Sequence, residues 1–385
     1  MGSVGIIAEY NPFHNGHLYH LNKVREMFPE DTIVLILTSN FSQRGEPSII
    51  DKFKKTEISL KMGIDLVIEL PFVFSVQSAD FFANASVSML EYLGVEKFVF
   101  GSETNDIDKI ITLVDTQLHN EQFDSLVKIY LKMGYNYPTS LSNALRDLTE
   151  KDMRLPNDLL GISYVKSIRK NNYKIKPLCI ERTNDYHGKD IYDEISSASA
   201  IREAIKNNLD ISHTVPEEVL PYLNGDLFLT EDYFKFLKYK ILTDVNLDQY
   251  HSVDEGIDKK MKNCIVEATS FEDLIFKLKS KRYTYNRIHR MLTHILCSFT
   301  KEEAENMKEI EYIRVLGFSN SGRSFLNKVK KDCKVPIISK FSKNQSSMLD
   351  LELRATSVYV SILDEDKKKE LIEKEYKFSP IVYNK

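Results

Sequence analysis

Two histidines near the start of the chain are the side chains best suited to chemistry. His14-Asn15-Gly16-His17 closes the string Glu9-Tyr10-Asn11-Pro12-Phe13-His14-Asn15-Gly16-His17, after a short apolar run and at the opening of a helical pattern. Imidazoles three residues apart share one face of a helical turn. There they can donate hydrogen bonds to phosphate oxygens as charge develops. Each such charge-assisted bond is worth about 1.5–3 kcal/mol. Free N–H groups and the positive end of the helix dipole attract phosphate to the same place. Gly16 would let a phosphate approach the backbone. Zinc is the rival ligand for a histidine pair, but the usual ligand spacings are not nearby. His20 extends the same series along the helix.

A second group is Ser197-Ala198-Ser199-Ala200-Ile201-Arg202. Small hydroxyl residues at a helix start cap it and bind phosphate oxygens. Arg202 adds a fixed positive charge for a β- or γ-phosphate. Taken alone, this segment is equally an ordinary capped helix with an exposed arginine. Lys52 and Arg44 are further candidate cations for a phosphate or a carboxylate. Residues 277–290 hold Lys277, Lys279, Lys281, Arg282, Arg287, His289 and Arg290, no acid, and Tyr283 and Tyr285. Basic side chains mixed with aromatics grip phosphates and stack bases, although a charge run on a helix is more often a solvated face.

These residues need a scaffold, and the first two hundred positions supply an α/β one. Val4 to Glu9, Thr32 to Thr38, Leu66 to Leu70, Lys97 to Phe100 and Lys174 to Ile180 are strand candidates. The run TIVLILT is β-branched and continuous, as in a parallel sheet covered on both faces. Helical patterns lie between the strands at Gly16–Met27, Asp51–Met62, Ser78–Leu93 and Asp158–Lys170. Strands alternating with helices predict a doubly wound parallel sheet, Rossmann-like, with ligands beyond the carboxyl ends of the strands. After about Arg202 charged helical patterns dominate. We therefore expect a nucleotide-binding domain over 1–205 and a mostly α-helical region over 206–385, with one late strand near Val335 to Ser339.

The bulk numbers fit an ordinary globular protein, with 42% hydrophobic and 28% charged residues. No apolar run reaches eighteen residues, so no membrane partner is expected, and no secretory leader is evident. Cys179, Cys264, Cys297 and Cys333 are widely spaced and without a Cys-x-x-Cys pair, which disfavours zinc knuckles and disulfides. Reduced cysteines point to a cytoplasmic location. A net charge of −4 means that any nucleic-acid surface must be a local patch.

His-x-Gly-His after the first strand, with a later Ser-x-Ser-x-Ile-Arg, resembles the HIGH-type nucleotidyltransferase superfamily. The whole run from Gly5 to Leu21 resembles the opening of the tRNA(Met) cytidine acetate ligase family. So do Phe41-Ser42-Gln43-Arg44-Gly45-Glu46-Pro47, Asp51-Lys52, Glu69-Leu70-Pro71, Gln77-Ser78-Ala79-Asp80 and Phe100-Gly101-Ser102-Glu103. Pro156-Asn157-Asp158-Leu159-Leu160-Gly161, Arg182 with Tyr186-His187, and Lys281-Arg282-Tyr283-Thr284 with Arg287 and Arg290 extend the likeness over most of the chain.

The resemblance implies an ATP-dependent ligase. It would activate acetate as acetyl-adenylate and pass the acetyl group to the wobble cytidine of elongator tRNA(Met), giving N4-acetylcytidine without acetyl-CoA. By the same resemblance Ile7, Ala8, Glu9, Tyr10, Asn11, Pro12, Phe13, His14, Asn15, Gly16, His17, Leu18, Tyr19 and His20 would line the ATP site. Gly101, Asn157, Arg182, Ser199 and Arg202 would complete it. His14, His17 and Arg202 would be catalytic, and Lys281, Arg282, Arg287 and Arg290 would hold tRNA. Magnesium would accompany ATP, held by protein groups or by ATP alone. Acetate is ionised at neutral pH and needs no base, whereas acetyl transfer needs a proton acceptor, for which Glu9, Asp80 and His187 are candidates. The alternatives are a cofactor-pathway adenylyltransferase and a non-catalytic nucleotide- or RNA-binding protein.

Overall fold

The computed structural model describes residues 2–150, 155–182, 194–341 and 346–384. Its sheet holds eight strands: β1 (Ser3–Ala8), β2 (Thr32–Thr38), β3 (Leu66–Leu70), β4 (Lys97–Ser102), β5 (Lys176–Glu181), β6 (Ile313–Ser319), β7 (Ile337–Ile338) and β8 (Ile381–Tyr383). Their order is β5-β4-β1-β2-β3-β6-β7, with β8 also paired to β6. The first five are parallel neighbours, and β6 runs antiparallel to β3. All seven residues of β2 are buried, as a strand covered on both faces requires. One core cluster gathers Phe82, Leu90 and Phe98 with Val165 and Tyr359; the other gathers Leu21, Val24 and Phe53 with Leu35 and Leu37.

The predicted first strands and helices all form, with ends moved by at most two residues. The division at 205 does not follow the architecture. Residues Phe234 to Ile295 do build helices around a core of their own. The chain then returns, however, and β6, β7 and β8 complete the sheet begun by the first half. The single late strand near Val335 to Ser339 is therefore one of three, and the shortest. The C-terminal region is a helical excursion followed by the missing edge of the first domain. Three further helices (Ile107–His119, Phe123–Lys132 and Tyr137–Thr149) are inserted between β4 and β5. Among the described residues no helix is long and apolar enough to cross a membrane.

A buried ion network welds the returning segment to the sheet. Lys52 Nζ donates to Glu69 Oε1 (2.5 Å), Glu375 Oε1 (2.8 Å) and Glu352 Oε1 (3.1 Å). Arg314 donates to Glu69 Oε2 at 2.9 Å and also to Glu375. All five side chains are within 1% of full burial. Two cations face three carboxylates, and the imbalance falls on Glu352. Burial, then Glu69 and Glu375, push it up to about 7 against the pull of Lys52. Protonation of Glu352 would leave two charges of each sign. Lys52, expected to meet a phosphate or carboxylate substrate, is thus a structural cation sealed from solvent.

Removing one partner of a buried pair leaves an uncompensated charge, which costs about 3–5 kcal/mol. Arg314→Met is therefore expected to lower unfolding stability by about that amount in urea titrations. The raised Glu352 value also has a signed consequence. Between the ordinary carboxylate value, about 4.3, and about 7 the folded state keeps the Glu352 proton that the unfolded chain loses, so the Glu352 contribution to stability falls as pH rises through that window. In Glu352→Gln that fall should disappear from the stability–pH curve; an unchanged slope would refute the assignment.

Candidate active site

The carboxyl edge of the sheet carries the site. Beyond β1 the chain turns through Tyr10, whose φ of 46° is left-handed. A tyrosine adopts that conformation only when its surroundings hold it. Here its ring packs edge-on against Phe13 and His17, at 4.7 and 4.8 Å between centroids. Asn11 Oδ1 accepts from the Ile49 N–H at 2.7 Å. Below the turn, Lys55 Nζ donates to the carbonyls of Glu9, Thr38 and Ser39 at 2.8–3.1 Å. It ties the ends of β1 and β2 together. Burial pulls this amine down to about 7, although Glu9 and Asp51 oppose the shift.

His14 is the N-cap of the Asn15–Met27 helix. Its Nδ1 accepts from the Gly16 N–H at 3.1 Å, and His17 Nδ1 accepts from the His14 N–H at 3.3 Å. This is a reciprocal capping box, built from imidazoles. The two rings stack at 3.7 Å. Burial, with Arg182 and Arg202, pulls His14 down to about 3. Burial, with His14, Arg182 and His20, holds His17 well below its ordinary value. Both rings are therefore neutral, and with Nδ1 accepting, each carries its proton on Nε2. His20 is pulled down to about 4 by burial and then Arg182. Its Nε2 has no partner among the described residues. Gly16 has a different reason from the expected one: a Cβ there would stand 2.9 Å from the His14 ring. It makes room for the histidine cap.

These rings open into a cavity of about 870 Å³. Ile7, Ala8, Glu9, Tyr10, Asn11 and His14 line it, as do Gly16, His17, Tyr19 and His20. Pro12, Phe13, Asn15 and Leu18 do not. Phe13 is core, Leu18 packs against the same cluster, and Asn15 Nδ2 bonds to the carbonyls of Glu194 and His213 at 2.9 and 3.0 Å. Gly101, Asn157 and Arg182 meet at the β4–β5 end of the cavity. There Arg182 donates to Asn157 Oδ1 at 3.1 Å, Glu103 holds Asn157 Nδ2 at 2.6 Å, and a Cβ on Gly101 would crowd Arg182 at 3.0 Å.

The second motif is placed otherwise than expected. Ser197 caps the Ala198–Lys206 helix, and Ala198 reaches the cavity, but neither Ser199, which is exposed, nor Arg202 lines it. Arg202 donates to the Asn11 carbonyl at 2.8 Å and pairs with Glu46. Burial pushes Glu46 up, but Arg202, His289 and Arg44 together hold it below the usual carboxylate range. Arg202 thus braces the histidine turn from behind. Asp80 and Glu9 line the cavity; Tyr186 and His187 lie outside the described residues.

The basic stretch arrives from the far side of the chain. Arg282, Arg287 and Arg290 line the same cavity as the histidines, and Lys281 is exposed outside it. Gly45 (φ 83°) packs so closely on the Tyr285–Leu296 helix that a Cβ would meet the Arg290 nitrogen at 2.5 Å, and its carbonyl accepts from Thr293 Oγ1 at 2.5 Å. Burial, then Arg287, pull Arg290 down to about 10. No carboxylate pairs with it among the described residues. Arg287 lies 4.1 Å from the Tyr283 ring. Gln43 and Gln77, given no role in the sequence reading beyond the family segments that contain them, and His251, absent from it, also stand on the wall. They are joined by contacts 34 and 174 residues apart, Gln43 Nε2 to the Gln77 carbonyl and His251 to Gln77 Oε1, and no local pattern signals such pairings.

Comparison with known proteins places the chain in a family. The HIGH Nucleotidyl Transferase family matches residues 1–375. The tRNA(Met) cytidine acetate ligase of Geobacillus sp. (strain WCH70) is 38% identical, over 99% of this chain and 100% of the relative. That of Bacillus subtilis (strain 168) is 36% identical, over 100% and 98%. A crystal structure of Thermotoga maritima TmcAL bound with alpha-thio ATP is 30% identical and superposes with a TM-score of 0.89, covering 100% of both chains. The chain belongs to the tRNA(Met) cytidine acetate ligase family of HIGH nucleotidyl transferases.

Proposed function

We propose that this chain activates acetate with ATP as acetyl-adenylate and transfers the acetyl group to the wobble cytidine of elongator tRNA(Met). One observation carries the reading: the neutral histidine pair and Arg282, Arg287 and Arg290 line a single cavity. An adenylyltransferase of small metabolites has no use for the arginine-bearing helices, and a passive binder has no use for two aligned Nε2–H donors.

Adenylation joins two anions, so alignment and charge stabilisation supply the rate. Acetate attacks the α-phosphorus, and pyrophosphate leaves. His14 and His17 donate Nε2–H bonds to the phosphate oxygens as charge shifts. Because burial keeps both rings neutral, they donate without a counter-ion and stay donors across neutral pH. Arg182 and Asn157 hold the nucleoside end, and Arg202 fixes the turn that carries the histidines. Magnesium bound to ATP would neutralise the triphosphate. Lys281, Arg282, Arg287 and Arg290 grip the anticodon loop through its phosphates.

Incubation with labelled acetate, ATP and tRNA, followed by digestion of the RNA, should give labelled N4-acetylcytidine, and acetyl-CoA should not replace acetate and ATP. RNA that stays unlabelled would sink the proposal. His17→Ala should slow acetate-dependent exchange of pyrophosphate into ATP by about a hundredfold or more, the scale of losing a preorganised donor, with tRNA affinity kept. Equal loss of both would mark His17 as a folding residue.

A further inference from the structure

The helices inserted between β4 and β5 have no part in closing the sheet. The Pro156–Lys170 helix already packs across β4, and a parallel crossover needs only one helix. The insertion does, however, carry Asn136, Tyr137 and Leu141 into the cavity wall. The start of the Ala79–Tyr92 helix contributes Asp80 and Phe81 to the same wall. Phe81 is 58% exposed and Tyr137 48% exposed. A lone exposed aromatic is ordinary. Two on the wall of one concave cavity, beside a reactive site, offer stacking surface to a ligand.

Asp80 gives this surface a polar end. Ser163 Oγ donates to its Oδ1 at 2.7 Å, and Lys166 Nζ stands 3.4 Å from its Oδ2. The carboxylate is therefore fixed, yet its side chain remains 41% exposed. Its charge is felt by Tyr137, whose hydroxyl is raised by burial first and then by Asp80 and Asp124. Phe81, Tyr137 and Asp80 line the same cavity.

We propose that Phe81 and Tyr137 form the acceptor-base subsite, where a splayed pyrimidine stacks with its exocyclic amine directed to Asp80. This rests on the ligase reading above. An ionised carboxylate only accepts hydrogen bonds. Cytosine offers an amine donor there, whereas uracil offers a carbonyl oxygen, which Asp80 repels. The base must leave its stack to enter, as for enzymes that modify a single base, and Arg287 and Arg290 are on hand for the flanking phosphates. In the transfer step the amine nitrogen attacks the carbonyl carbon of acetyl-adenylate. The new C–N bond forms as the C–O bond to phosphate breaks, and the electron pair leaves with AMP. The amine proton passes to Asp80 and then to water.

The test uses the full chain and separates the two half-reactions. Phe81→Ala should leave acetate-dependent pyrophosphate exchange and the KM for ATP unchanged. Acetyl transfer to tRNA should fall roughly ten- to a hundredfold, the scale of one lost base-stacking contact, and Phe81→Tyr should restore it. Asp80→Asn should likewise spare exchange and reduce the transfer rate under saturating tRNA. If Phe81→Ala raises the KM for ATP, the aromatic serves adenine and the assignment is overturned. Undiminished transfer in both variants overturns it too, as does equal loss of both half-reactions. A wild-type protein that exchanges pyrophosphate with acetate but labels no cytidine overturns the ligase reading itself.

Discussion

Five buried charged side chains hold this molecule together. Lys52 and Arg314 meet Glu69, Glu352 and Glu375 inside the protein, and each comes from a different element: the Lys52–Lys61 helix, β6, β3, the Ser347–Tyr359 helix and the Glu365–Lys377 helix. A buried ion pair is rarely a net source of stability over a well-packed apolar one. What the network adds is specificity. A misregistered β6 would leave charges unpaired in a medium where that is intolerable, so only one docking of the returning segment is tolerated. Ser39, at the end of β2, joins through a hydrogen bond to Glu352, so the network reaches the strand ends from which the site is built.

The site depends on that fixed edge. Lys55, three residues after Lys52, clamps the carbonyls beyond β1 and β2, and the histidine turn rests on them. Arg202 and Glu46 brace the turn from the other side. The histidines cap their own helix, which fixes the tautomer of each ring and leaves the opposite nitrogen for a ligand. A charged imidazole would bind triphosphate more tightly in the ground state as well. A neutral donor responds chiefly to charge that develops during reaction, and that difference is what accelerates it.

Much of this was legible in the residues. The β2 run and the leading strand–turn–helix marked a phosphate site at the edge of a parallel sheet, because strand and helix signals there are local and periodic; the long string around His14 carried the resemblance that named a nucleotidyl transferase. The terminal strands were not legible. β7 has two residues and β8 three, too few to show a period, and β6 is recognisable as a sheet strand only through its partner β3, whose Glu69 lies 245 residues before Arg314. Lys52 looked like a substrate cation because a lysine at a helix start near a nucleotide motif commonly is one; its three carboxylates come from positions 17, 300 and 323 residues away. Ser199 and Arg202 follow the same lesson: the motif marks the right neighbourhood, but the helix turns their side chains away from the cavity.

The antiparallel pairing of β3 with β6 also bears on how the chain emerges from the ribosome. The 245 residues between Glu69 and Arg314 take roughly 12–50 s to synthesise at about 5–20 residues per second. For that interval β3 is an uncovered sheet edge, the kind of surface that recruits other chains, and Glu69 has no arginine to face. The first half of the nascent protein can collapse, but it cannot close. Its cations and carboxylates must stay hydrated until the last helices arrive, which makes the nascent chain a natural client for chaperones during its own translation.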